Sequence, residues 1–272
     1  MNRVGIRAHD IGKMSAQALS EKVVDYGFDG VQLVFKKAFD TELDFNDLNL
    51  IKKHFTTPMI MMLGAYFNPV HPDPREVTQG IDYFKKHLEI AFSLNAKYVG
   101  TETGSLMGSP WGYVEENHEQ KALDDVIEVI KDLVLVAEKK NSYIAIEGAY
   151  AHVAYSPKRI REILDQVNSP NLKVTIDLYN FLHIGNYERR MEIFEEALSI
   201  LADEIVIFHL KDFKVLNNQL VQVGLGQGLM DYPTIIKRIK EVKPDAHLIF
   251  EGVTGDDIET SFSYIKKLLE GK

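Results

Sequence analysis

Eight short runs of β-branched and other apolar residues recur along the chain, and the stretches between them carry apolar residues at helical spacing. The runs are RVGIRA (3–8), GVQLVF (30–35), PMIMML (58–63), KYVGT (97–101), YIAIE (143–147), LKVTI (172–176), IVIFH (205–209) and HLIFE (247–251). Segments such as ALSEKVVDYG (18–27), YFKKHLEIAFSL (83–94), DVIEVIKDLVLVAEKK (125–140) and TIIKRIKEV (234–242) follow the period of an amphipathic helix. Alternation of this kind predicts parallel strands joined by helical crossovers, and strands that are almost wholly apolar predict a sheet covered by helices. Periodicity does not separate a closed barrel from an open doubly wound sheet; the count of eight favours an α/β fold of the (β/α)8 TIM-barrel type. Such a barrel takes about 250 residues, so a chain of 272 is expected to form a single domain spanning 1–272.

Local punctuation agrees with this reading. Gly27 and Gly30 precede the second run, Pro58 the third, Ser156-Pro157 opens a helix, and Asp231 stands two residues ahead of Pro233. No linker-like or low-complexity tract divides the chain. No segment approaches the roughly 18 consecutive apolar residues of a membrane helix, and MNRVGIRAHD passes straight into a strand-like run without the pattern of a signal peptide. A cytoplasmic protein with no membrane partner is the expectation, and a homo-oligomer is compatible with it.

Four residues share one structural address: Glu147, Asp177, His209 and Glu251 each stand at the end of one of the last four runs. In a closed parallel barrel that address is the carboxyl mouth, where barrel enzymes build their active sites. Taken singly, each acid fits a helix cap or a lysine pair. Four on consecutive units fit a shared cation better, because an unpaired carboxylate is costly to bury. The chain has no cysteine, so a cation must rely on carboxylate, imidazole, carbonyl or water. Three carboxylates and one imidazole favour one divalent ion, with manganese (Mn2+) first and Mg2+ or Co2+ behind it; Zn2+ also accepts this donor set. The net charge of −9, with lysines and arginines scattered over helix faces, argues against nucleic acid as a partner.

With these residues in view, the chain resembles the xylose isomerase-like TIM-barrel superfamily of sugar phosphate isomerases and epimerases, which also holds inosose dehydratases and endonuclease IV. The Glu147 strand, TIDLYN (175–180), HLKD (209–212) with GLGQGLMDYP (224–233), and FEG (250–252) carry the resemblance. It implies that Glu147, Asp177, His209 and Glu251 bind a divalent metal and that Glu147 and Glu251 act as acid and base. The implied reaction is isomerisation or epimerisation of a sugar or sugar phosphate: one glutamate removes a proton beside a carbonyl, an enediolate forms, and the other glutamate returns a proton. A dehydratase acting on the same centre and a non-catalytic carbohydrate-binding barrel are the alternatives. Ketose epimerases commonly carry a histidine three residues after the aspartate ligand; Asn180 stands there here, which implies changed specificity.

The remaining expectations concern the rest of the mouth. Arg7, His9, Gln32, Asn68, His71 and Glu102 end the first four units and are expected to face a polar substrate, Glu102 either orienting a sugar hydroxyl or pairing with Arg7. Lys211 is expected to bind a substrate anion and Asp212 to fix His209. His152 and His183 are read as wall or helix-entry residues. Loop 103–116, with the sole tryptophan, Trp111, reads as a mobile lid over the substrate. The Gly224, Gly226 and Gly228 run reads as a turn before a helix, with backbone N–H groups open to a phosphate.

Overall fold

The computed structural model describes residues 2–41 and 47–271. Eight parallel strands close into a barrel: β1 (Val4–Arg7), β2 (Gly30–Leu33), β3 (Met59–Gly64), β4 (Tyr98–Glu102), β5 (Tyr143–Glu147), β6 (Leu172–Asp177), β7 (Ile205–Leu210) and β10 (His247–Phe250). A two-stranded antiparallel hairpin, β8 (Asp212–Leu216) and β9 (Gln219–Val223), is inserted after β7. All eight predicted strands form, and the chain is a single-domain TIM barrel. The hairpin has no counterpart in the sequence reading. Gly30 lies inside β2, and the second run stops at Leu33, because Phe35 already begins a one-turn helix, Phe35–Ala38.

The longer helices begin where the side chains dictate. Asp73, Ser156 and Asp231 each accept a hydrogen bond from a backbone N–H of the first turn, and a proline stands at its start. The helix predicted over 125–140 starts earlier, at Gln120, and that over 83–94 at Pro74. Their apolar faces pack on the outside of the barrel in one continuous core.

Inside the barrel lies a separate cluster of Met61, Met62, Tyr98, Ala145, Ile207 and Ile249. Side chains two residues apart on a strand share a face. Ala145 therefore puts Glu147 on the inner face, Ile207 puts His209 there, and Ile249 points Glu251 the same way. Register sets the level: Glu102 is the partner of Glu147, Asp177 of His209, and Ile249 of His209. An apolar plug is thus capped, one layer up, by acids and an imidazole.

Candidate metal centre

One ligand atom from each of Glu147, Asp177, His209 and Glu251 lies within 4.8 Å of the others, and all four residues are buried. Their strands are neighbours in the order β5-β6-β7-β10, so the two glutamates flank the aspartate and the histidine. The Nδ1 of His209 lies 2.8 Å from Glu251 Oε2 and 3.2 Å from Glu147 Oε2. Neither ring nitrogen makes a hydrogen bond of good geometry, Asp177 Oδ2 is met by the Lys211 ammonium, and all three atoms are buried. Buried donor atoms converging from four strands, with the His209 imidazole left without a hydrogen bond among them, fit a small divalent cation.

Two cations on the chain border the group. Lys211 Nζ lies 2.9 Å from Asp177 Oδ2 and 2.8 Å from Glu251 Oε1, and donates to Asn180 Oδ1 at 3.1 Å. Three acceptors thus surround the ammonium expected to bind a substrate anion. Arg7 donates to Glu251 Oε1 at 2.8 Å and grips Asp10 with its other nitrogens, while Asp10 accepts from the N–H of Gly252. The Glu102 pairing with Arg7 is therefore absent; Glu102 lies 3.6 Å from His152 Nδ1 instead. Asn180 donates to Glu147 Oε1 at 2.7 Å.

Charges follow this packing. Burial alone would raise Glu251, but Lys211, His209 and Arg7 hold it well below the usual carboxylate range. Burial and then the Glu147 and Glu251 carboxylates push Glu102 up to about 8. Burial lowers His209, yet the same two carboxylates outweigh it and lift the imidazole to about 10.

Above this layer open two cavities. The first, of about 710 Å³, is lined among others by Arg7, His9, His71, Glu102, Trp111 and Glu251. The second, of about 510 Å³, is walled by Glu102, His152, Asn180, His183 and Lys211 and by the hairpin tip. Asn68 borders the first, but its amide bonds Ser105 and Gly108 carbonyls and the Val70 and Ser105 N–H groups. It shapes loop 103–108 and has no hydrogen-bonding capacity left for a substrate. The same loop is tied down by Asn117, which bonds Leu106, Ser105, Gly112 and Ala151, so its base is anchored.

Asp212 turns away from His209. It accepts from the N–H groups of Gly226 and Gly228 through Oδ2 and of Phe213 and Met230 through Oδ1. This corrects both its role and that of the glycine turn, whose N–H groups are closed by the carboxylate. Gly226 has a φ of +84°, and a Cβ at Gly228 would strike Asp212 itself. Sequence reasoning also missed Tyr66, whose phenol oxygen accepts from Gln32 Nε2 at 2.6 Å on the wall of the first cavity; its place just past the end of β3 was the available signal.

A family model described as xylose isomerase-like TIM barrel matches residues 20–268. No curated protein sequence matches. Among solved structures, a D-tagatose 3-epimerase-like protein superposes with a TM-score of 0.78 at 18% identity, covering 98% of this chain and 97% of that one. An IolI protein with a zinc atom gives 0.76 at 19% identity over 98% and 96%. A xylose isomerase-like TIM barrel protein from Mycobacterium smegmatis in complex with magnesium gives 0.75 at 15% identity over 99% and 96%. At these identities the likenesses bear on the fold.

Proposed function

This chain belongs to the xylose isomerase-like TIM barrel family, and from that premise we propose that it is a divalent-metal-dependent isomerase or epimerase of a sugar or sugar derivative. The observation that carries the proposal is the convergence of four buried donor side chains on one point, two of them glutamates from the outer strands of the four. Glu147, Asp177, His209 and Glu251 would hold the ion. When bound, it supplies Lewis-acid polarisation of a carbonyl, which acidifies the neighbouring C–H. On donor hardness we propose manganese; the zinc and magnesium of the two structural neighbours name the main alternatives.

The acid and base work falls to the two glutamates. One takes the proton from the carbon beside the carbonyl, and the other returns a proton to the opposite face for epimerisation. Return to the neighbouring carbon gives isomerisation. Asn180 fixes the carboxylate of Glu147 and Arg7 that of Glu251, so both bases are held in place before substrate arrives. Substrate contacts are proposed for Glu102, His9 and Trp111, which line the cavity over Glu251.

The test is incubation of the metal-loaded protein with a panel of ketoses and aldoses in D2O. Incorporation of one deuterium beside the carbonyl, with a new stereoisomer or positional isomer by NMR, is the expected result. Loss of water from the product mass would instead make the chain a lyase, and no exchange with any sugar would leave a carbohydrate-binding barrel.

A further inference from the structure

The metal centre sits at the floor between two cavities, not at the bottom of one. Glu102 is the residue common to both walls. Above it Trp111, on the first cavity, meets His152, on the second, edge to face at 5.7 Å. Beneath, the four-residue group connects the two: Glu251 lines the first cavity, and Lys211 and Asn180, which contact Asp177 and Glu147, line the second.

The two spaces differ in chemistry. Arg7, His9 and His71 give the first a polar wall. In the second, Tyr150 and His183 stack at 3.9 Å and 20°, and Leu220 and Ile184 add apolar surface. The amides of Asn218 and Gln219 stand at its hairpin edge. Among the described residues the cation that lines it is Lys211, already surrounded by Asp177, Glu251 and Asn180. Aromatic faces edged with amides and lacking a free cation suit a neutral polyhydroxylated ring and do not suit a phosphate. Ligand cavities run to about 300–1,000 Å³, so a single hexose is accommodated by either space alone and leaves the other idle.

We propose that the substrate is a two-ring sugar: a reacting ketose in the first cavity, carrying a neutral glycosyl substituent that crosses Glu102 and rests on the Tyr150–His183 stack beside the hairpin. The proposal rests on the reading that a ketose reacts at the metal centre, and its test separates the two.

Binding to the Mg2+-loaded full chain would be measured calorimetrically for D-fructose and for lactulose, maltulose and isomaltulose, which are fructose carrying a galactosyl or glucosyl group at O4 or a glucosyl group at O6. At least one ketodisaccharide is expected to bind tenfold or more tighter than D-fructose. Leu220→Trp, from the hairpin, and Ile184→Trp, from the facing loop, should each bring that ratio close to one; because it is a ratio measured within one preparation, a partly folded variant does not distort it. Equal binding of fructose and all three ketodisaccharides, or a ratio untouched by both variants, overturns the proposal. A gain seen with 6-O-benzyl-D-fructose but with no ketodisaccharide also overturns it. Deuterium exchange on the same sugars reports separately: a retained binding preference without exchange counts against the isomerase reading and in favour of the two-ring site.

Discussion

The side-chain amide of Asn180 bridges Glu147 and Lys211, donating to the carboxylate at 2.7 Å and accepting from the ammonium at 3.1 Å. A residue with no charge thereby fixes the angle of one proposed base and the position of the cation that neutralises Asp177 and Glu251. Its own place is set from the backbone, where its N–H donates to Asp177 Oδ1 at 3.2 Å.

Asn180→Ala should therefore lower kcat for deuterium exchange by about 10–100-fold while KM changes little, the range seen when a group supporting a metal ligand is removed. Asn180→Asp, isosteric but placing a second negative charge against Glu147, should fall further. Steady-state exchange rates check this; an unchanged kcat in Asn180→Ala would show that Glu147 needs no such support.

Elemental analysis of the purified protein should find close to one divalent ion per chain, lost on chelation. Asp177→Asn and His209→Ala should each weaken its binding by more than about a hundredfold. For the wild type, free ion at a hundred times its Kd should add about 2.7 kcal/mol of stability; melting curves of the two variants should no longer respond. Retention of the ion by both variants would place it elsewhere.

Arg7 ties two buried acids together, Asp10 on its own turn and Glu251 across the barrel closure. Arg7→Met keeps much of the length but strands both carboxylates, and since the guanidinium is 23% exposed a loss on the order of 2 kcal/mol is expected, below the figure for a fully buried pair. Arg7→Lys should recover only part of it, because one ammonium cannot reproduce the forked contact. Urea midpoints at neutral pH decide the matter; a midpoint shared by all three proteins would remove Arg7 from the stability of the fold.

His87, buried on the helix Pro74–Ala91 with its Nδ1 2.9 Å from Tyr83 O, offers a pH-dependent test away from the site. Burial pushes its imidazole from 6.5 down to about 4. Between those values the unfolded chain binds a proton that the folded chain refuses, so stability is complete above pH 6.5 and declines as pH falls toward 4. A shift of this size is on the order of 3 kcal/mol. His9 and His152 are lowered in the same direction, so the informative quantity is the difference between wild type and His87→Leu. The variant should lose less stability over that interval; parallel curves would contradict the assignment.

The four-residue group was legible because its address and its facing both follow from strand periodicity: Glu147, His209 and Glu251 each lie two residues beyond an interior apolar side chain. The same period could have assigned the next residues correctly. Lys211 shares a face with His209 and joins the centre, whereas Asp212 takes the opposite face and closes the glycine turn. Proximity in sequence suggested that Asp212 would fix His209. The hairpin carried a weaker signal in Asn217-Asn218, whose φ angles of 49° and 60° form the left-handed pair of a tight β-turn, but its strands DFKVL and QLVQV blend into the run that follows β7. Asn68 and Asn117 were opaque for another reason. Whether an amide meets a substrate or a neighbouring loop depends on contacts between units distant in the chain, which no local pattern records.

The clasp that Asp212 makes with Gly226, Gly228 and Met230 fastens both stems of the hairpin to the barrel rim. Leu220 and Gln222 of the ribbon still meet the Tyr179 hydroxyl and the Glu251 carbonyl, and it is the tip past them that stands clear of the strands carrying the acids. The ribbon can therefore be lengthened, trimmed or exchanged at its Asn217-Asn218 tip while the acids below keep their spacing, which makes this rim a place where a barrel of this kind acquires new appetites without rebuilding its chemistry.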